Sequence, residues 1–338
     1  MPARLSRRSL LAAAALGGLG ACGGGDDRTR SRPARTAAPV ASRKVRSADA
    51  RAVRLLRRLP LGGRDELVGI AFRQGGGEVV VGDGAGVLRG VPLRGGDPSV
   101  LADGDGRVWG VAIRGDGRLA WVDDAGVLRV QGRRPLRQAT AWLSVAWAPR
   151  GDVLAAGSDD GRIVVLRGTE RRELRGHELA VLGLAWHPRT GRLASSDQSG
   201  SARVWPSDGG HPIRLDYEDA DFGADMNGLT WLPEPHRLAT ASQDGVVRLW
   251  DVARRRVEHR LEGADSWSRP VTLSPAGDLL ASSGADGVIR LWDPDTGAAR
   301  AAIRGDGTTV WGLAWSPDGR ALVSAGSDGA LRIYGLPG

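Results

Sequence analysis

One cysteine, one lysine, two phenylalanines, two tyrosines and five histidines are all that 338 residues contain of those types. The lone Cys22 excludes an intrachain disulfide framework and any cysteine-rich metal centre. The histidines, His177, His187, His211, His236 and His259, are scattered with no His-x3-His pair, so no zinc-type ligand set is spaced for use and no metal or other cofactor is expected. A strong charge of one sign is also missing from most of the chain. The formal net charge is +8, but residues 1–50 carry ten basic side chains against three acidic ones, which leaves 37 against 36 over residues 51–338. A nucleic-acid binder carries its basic face on the folded domain itself, so no nucleic-acid partner is expected. What is abundant is glycine, at 51, and tryptophan, at 12, with an ordinary apolar content of 41%, which describes a packed domain rather than a disordered chain.

The basic excess sits in a leader and a tail. Three arginines (Arg4, Arg7, Arg8), the short apolar stretch Leu10–Leu19 and small residues before a cut site describe a secretory signal over residues 1–21. That stretch is too short to span a bilayer, which takes ~20 residues. Leu19-Gly20-Ala21-Cys22 resembles a bacterial lipobox, in which Cys22 becomes an acylated N-terminus; the alternative is an ordinary signal peptide with an incidental cysteine. Ser6-Arg7-Arg8-Ser9-Leu10-Leu11 likewise reads as a twin-arginine export signal or as the plain positive region of a leader. Residues 22–50, rich in Gly, Arg, Ser and Pro with almost nothing to bury, form a flexible basic linker, either a soluble spacer or a segment lying along anionic headgroups. The expected location is the cell envelope, with membrane contact through the lipid anchor.

From residue 51 onward one pattern recurs seven times. LGLAWHPRTGRLASSDQSGSARVW (182–205), NGLTWLPEPHRLATASQDGVVRLWD (227–251), VTLSPAGDLLASSGADGVIRLWD (271–293) and VWGLAWSPDGRALVSAGSDGALRIYG (310–335) are copies of one another. The glycine of the second turn falls at 86, 126, 161, 200, 245, 287 and 329, spaced 35 to 45 residues apart. Each copy has three short alternating runs joined by Gly-containing turns, and a fourth run leads to the next copy. Period-2 alternation with Asp-Gly turns means antiparallel strands in tight hairpins. Four strands repeated about every 40 residues predict the blades of a propeller.

These copies resemble the WD40 repeat family. The residues that carry the resemblance are Trp250-Asp251 and Trp292-Asp293, Gly176-His177, and the turns at Asp160, Asp244, Asp286 and Asp328 with their following glycines. The resemblance implies an all-β, seven-bladed propeller over residues 51–338 that binds proteins or peptides and has no catalytic residues. It also implies structural roles for His177, those four aspartates, and Trp205, Trp250 and Trp292. The family's His–Ser/Thr–Asp–Trp network maps completely nowhere: the fourth copy has Ser199 at the acid's place, and the fifth has Thr240, Asp244 and Trp250 but no Gly-His. The run 51–59 is expected to pair beside residues 331–334, supplying the last blade with its fourth strand and closing the ring.

Chemistry-bearing clusters are scarce. Asp83, Asp160 and Asp244 sit in turns, where aspartate caps its own backbone. Gly82-Asp83-Gly84-Ala85-Gly86 joins two strands and opens no helix, which removes a phosphate-loop reading, and Asp103-Gly104-Asp105 echoes a calcium loop without the later ligands. Trp147, Trp186, Trp231 and Trp315 share a core position. Trp109 and Trp311 share another, at the start of the first strand; Asn227 and Arg269 occupy it in the fifth and sixth copies, with Trp142 and Trp267 just before it. In rings of the resembled family that point lies on the narrow face around the central opening. These six residues are expected either to be exposed docking anchors or to plug the channel mouth. The acidic run 216–225, including Asp219, Asp221 and Asp225, is expected to be a recognition loop or a solvated insertion. Arg133-Arg134, Arg171-Arg172 and Arg254-Arg255-Arg256 are expected in turns of the opposite face, making it basic and able to turn toward a membrane. The expected function is that of a monomeric, non-enzymatic protein-docking scaffold; the alternative is a small-molecule or catalytic site in the central channel.

Overall fold

In the computed structural model, residues 53–61, 65–207, 210–216, 225–234, 236–263, 267–305 and 307–336 are described. Seven four-stranded antiparallel sheets follow one another, with no helix among the described residues. The blades are residues 67–102, 108–137, 142–174, 181–216, 226–261 and 268–304, and the seventh combines 310–335 with the strand Arg54–Pro60. Within blades 1 to 6 the strands pair strictly in chain order, as hairpins dictate. In blade 7 the fourth strand comes from the other end of the domain: Arg54–Pro60 runs antiparallel to Ala330–Gly335, with Leu55 opposite Tyr334 and Leu59 opposite Leu331.

The burial pattern follows from the arrangement. Each sheet is sandwiched between two others, so its inner strands lose solvent on both faces and read as continuous small or apolar runs. Val153–Ser158 and Arg237–Ser242 are buried at every residue. The outermost strands keep a wet face; Glu170–Leu174 is exposed at its first three positions. Core clusters lie between neighbouring blades. Leu59, Leu331 and Ile333 of blade 7, for example, pack with Leu67, Ile70, Val79 and Val81 of blade 1.

All seven second-turn glycines adopt positive φ, from 67° at Gly287 to 96° at Gly86, a region that a side chain penalises. Space forbids a Cβ as well: one on Gly161 would lie 2.4 Å from the carbonyl oxygen of His177, in the connection that leads to the next blade. In blades 1, 2, 3 and 6 the turn is therefore the point where the hairpin touches that connection.

Candidate functional site: an axial plug on the narrow face

Every innermost strand carries a β-bulge at the same place. The register skips between Leu67 and Ile70, Val108 and Gly110, Trp142 and Ser144, Val181 and Gly183, Met226 and Gly228, Ser268 and Val271, and Val310 and Gly312. A bulge turns the extra residue out of the pleat. The residues so re-aimed are Val68, Trp109, Leu143, Leu182, Asn227, Arg269 and Trp311, one from each blade, and all seven are buried. Five of them join Trp142 in a single apolar cluster, against which Trp267 packs. Innermost strands of blades 1, 2, 3, 4 and 7 can share one cluster only around the common axis, so these side chains form a plug. Glycine follows the bulged residue in five blades and lets adjacent strands close in; a Cβ on Gly228 would meet the Arg269 carbonyl at 2.5 Å.

The plug has one polar sector. Asn227 donates from Nδ2 to the Ser268 carbonyl at 3.3 Å. The Arg269 guanidinium, only 2% exposed, lies between two indoles, 3.7 Å from the Trp311 ring and 4.1 Å from that of Trp267, and the two rings meet edge to face at 6.2 Å. Burial pushes Arg269 down to about 8, opposed by the charges of Asp225 and Glu66. Burial likewise pushes Asp225 up to about 6, with Arg269 pulling the other way. Trp109, Trp142, Trp311, Asn227 and Arg269 are thus not exposed anchors. The bulge directs Trp109, Trp311, Asn227 and Arg269 inward to the axis that Trp142 also lines, and desolvated indole surface is worth more there than at the rim. Trp267 and Asp225 are half-buried, and Asp219 and Asp221 lie outside the described residues, as do Cys22, the leader and the linker.

The start of each innermost strand and the second turn share a face, because Trp142 pairs with Ser158 and Met226 with Ser242. Each turn is capped by an aspartate from one of two positions. In blades 3, 5, 6 and 7 it directly precedes the glycine: Asp160, Asp244, Asp286 and Asp328 accept from the backbone N–H two residues on, at 3.0 to 3.3 Å. In blades 1, 2 and 4 it lies three residues before the glycine. There Asp83 accepts from Val87 N at 2.8 Å, Asp123 from Val127 N at 2.8 Å and Asp197 from Ser201 N at 3.0 Å. Six of the seven also pair with an arginine in the following strand or, for Arg162, just before it: Arg89, Arg129, Arg162, Arg248, Arg290 and Arg332. This neutralisation mutes the expected acidic character of the face. Against its burial, Arg332 and Arg58 hold Asp328 well below the usual carboxylate range.

Asp197 corrects the expectation that no complete network exists. In blade 4 the Trp205 indole N–H donates to Ser195 Oγ at 2.8 Å, Ser195 lies 2.6 Å from His177 Nε2, and His177 Nδ1 lies 2.7 Å from Asp197. Ser199, expected at the acid's place, instead donates its own hydroxyl to Asp197 at 2.6 Å. Burial lowers the His177 pKa and keeps the ring neutral, despite the pull of Asp197. The donors then run in one direction, from Trp205 through Ser195 and His177 to the carboxylate. Shorter versions stand in blades 5 and 6, where Trp250 donates to Thr240 at 2.9 Å and Trp292 to Ser282 at 2.9 Å. The indole N–H groups of Trp186, Trp231 and Trp315 reach across to carbonyls of the preceding blade, Ala146, Ala185 and Thr272, at 3.1 to 3.3 Å.

Ser195→Ala removes an acceptor from Trp205 and a donor from His177, so it is expected to destabilise the fold by about 1–3 kcal/mol for each orphaned group. Ser195→Thr should leave stability near wild type, since Thr240 performs the same duty in blade 5. Both are read by chemical denaturation. Stability is also expected to fall with acidification. The unfolded chain takes up the His177 proton below about 6.5 while the folded one resists it, and Asp197, held low by its hydrogen bonds against burial, adds a further loss as pH falls through about 4. His177→Gln should flatten the part between pH 7 and 5.

On the opposite face, Arg171 and Arg172 lie within the outermost strand Glu170–Leu174 and Arg256 begins the strand Arg256–Leu261, rather than all these arginines sitting in turns. Arg133 pairs with Asp152, Arg171 with Glu173 and Arg254 with Asp251, so that face is less basic than its arginines suggest. Among the described residues, no three His, Cys, Asp or Glu side chains gather to hold a metal ion.

The family model described as WD domain, G-beta repeat matches residues 136–165, 168–206, 221–251, 258–293 and 299–335, half of the chain. The chain belongs to the WD40 repeat family. The matched units take in the last strand of blade 2 and most of blades 3 to 6, with the residues 310–335 of blade 7; blade 1 and the first three strands of blade 2 lie outside them. Human WD repeat and HMG-box DNA-binding protein 1 is 35% identical over 98 residues, which are 25% of this chain and 9% of that protein. Ribosome biogenesis protein ERB1 of Malassezia globosa is 34% identical over 107 residues, 27% of this chain and 12% of that protein. The chain therefore spans only a small part of these relatives. The crystal structure of the WD40 β-propeller domain of Doa1 superposes with a TM-score of 0.73 at 18% identity, covering 84% of this chain and 97% of that one, a likeness of fold.

Proposed function

We propose that this WD40 protein is a monomeric, non-enzymatic docking platform of the cell envelope, exported by its leader and held at a membrane through an acylated Cys22. The sealed axis carries the docking part. A plug of desolvated indole and aliphatic groups occupies the place where a channel site for a small molecule would lie, so recognition falls to the surface around it. Three consecutive connections on the narrow face present groups there: Leu179, 45% exposed, before blade 4; Asp225 before blade 5; and half-buried Trp267 before blade 6. Asp219 and Asp221 belong to the same connection as Asp225. An aromatic group, an exposed leucine and acidic groups on one face are the composition of a protein-binding patch, and the near-neutral charge of residues 51–338 disfavours a nucleic-acid partner.

Affinity capture from solubilised membranes with wild type beside a Leu179→Glu/Trp267→Ala double variant tests the patch. A partner held by the wild type and lost by the variant, at matched unfolding midpoints, supports it; equal capture by both moves the interface elsewhere. For the anchor, Cys22→Ser is expected to shift the protein from the membrane fraction to the soluble fraction and to abolish labelling by radioactive fatty acid. Retention at the membrane without label would overturn lipidation.

A further inference from the structure

We propose that the groove between the outermost strands of blades 6 and 7 is a second docking site, one that takes an extended acidic peptide with apolar side chains at alternate positions. The inference rests on the docking reading above but uses a different surface. The groove has a volume of about 500 Å³, within the range of roughly 300–1,000 Å³ for ligand sites. One wall is the strand Ala299–Arg304 and the other is Arg54–Pro60. Ile303 and Tyr334 make an apolar floor continuous with the core between the two blades, Leu55 lines the groove with them, and Arg58, Arg304 and Arg332 stand around it.

Three features point to the occupant. First, both walls are the last strands of their sheets, so each presents a free row of backbone N–H and C=O groups; a peptide in extended form satisfies such an edge. Second, the walls carry five arginines and no carboxylate: Arg54, Arg57 and Arg58 on one, Arg300 and Arg304 on the other. Among the described residues, Asp328 answers Arg58 and Arg332, and Asp293 answers Arg300, which leaves an excess of positive charge. The outermost strands of blades 3, 4 and 5, by contrast, each include an acid: Glu173, Asp216 and Glu258. Third, Leu55 is 52% exposed in the groove beside those guanidiniums, an apolar group with no cover in a basic frame. Side chains on an extended peptide alternate, so apolar groups would face the floor while carboxylates at the intervening positions meet the arginines. A flat lipid surface reaches the rim at Leu56 but not the recessed floor at Ile303 and Tyr334, which favours the peptide.

The test is fluorescence anisotropy of a labelled, end-blocked peptide of alternating Asp and Leu against the full-length protein in detergent, with a peptide of alternating Asn and Leu as control. The acidic peptide should bind at least tenfold more tightly than the neutral one, and its affinity should fall as salt rises. Arg304→Glu and Leu55→Asp, both at exposed positions, should each weaken it tenfold or more without moving the unfolding midpoint. Equal binding of both peptides, or indifference to both substitutions, overturns the proposal. So does a result in which vesicles containing phosphatidylserine bind through Arg304 while the peptide does not, which would make the surface a lipid contact. If the Leu179→Glu/Trp267→Ala variant loses its captured partner while the peptide fails to bind, the groove proposal falls and the docking reading stands; peptide binding without any narrow-face partner leaves the groove as the docking surface.

Discussion

A chain lacking residues 51–60 is expected to lose on the order of 5 kcal/mol of stability and to associate through blade 7. The strand Arg54–Pro60 forms a six-position ladder with Ala330–Gly335, and net contributions of about 0.5–1.5 kcal/mol per hydrogen bond add up over its length. Leu59 also leaves its place against Leu331 and Ile333, and the Arg58 bond to Asp328 at 2.7 Å is lost. The consequence extends beyond one blade. Leu331, Ile333 and Tyr334 are half of a strand buried at five of its six residues, and removing their neighbour leaves an apolar edge of unpaired backbone, the geometry that invites edge-to-edge association. Size-exclusion chromatography and urea unfolding of the shortened chain check this. A monomer with the full-length midpoint would show that the ring holds without that strand.

Trp311→Ala is expected to destabilise the protein by about 3–5 kcal/mol, the usual cost of emptying a large aromatic site in a core. Trp311 is 5% exposed and belongs to the axial cluster. Its removal opens a void among residues from several blades and also strips one of the two indole faces from the Arg269 guanidinium, leaving a buried cation less well covered. Trp267→Ala, at the half-buried rim, should cost distinctly less. Denaturation midpoints of the two variants decide the matter. If Trp311→Ala kept its midpoint yet abolished partner capture, the side chain would be an anchor presented to a partner after all, and the plug would not be sealed in solution.

The three families of tryptophan show how far pattern carries. Trp205, Trp250 and Trp292 end their strands before or at an Asp-rich turn, and their structural role is readable from spacing because each meets a Ser or Thr ten residues earlier. The inward position of Trp186, Trp231 and Trp315 is equally periodic, but the carbonyl that each indole reaches lies 40 to 46 residues back, in another blade. Trp109 and Trp311 share a position whose meaning alternation misstates. A bulge adds one residue, and one residue reverses which way a side chain points, so a place that counts as the rim lies on the axis. The recurring glycine just after it, at 69, 110, 183, 228 and 312, was the available signal.

The turn acids make the same point. The family pattern places the acid beside the glycine and so points to Ser199 rather than Asp197, yet a carboxylate three residues before that glycine reaches the same amides. Which of two nearby residues caps a turn depends on where its oxygens fall in space, not on its offset along the chain.

By itself the sequence determined the class of strand, the hairpin turns, the number of blades and the family, because these rest on local alternation, on positive-φ glycines and on repetition, all of which act over a few neighbouring residues. Only the tertiary structure decided which side chains are wet. Burial at the axis depends on seven strands meeting, the unbalanced charge of the blade 6–7 groove on two strands brought together from opposite ends of the domain, and the completion of the His177 network on a connection folding back over the turn of the next hairpin. Such contacts join residues far apart in the chain, and no local period encodes them.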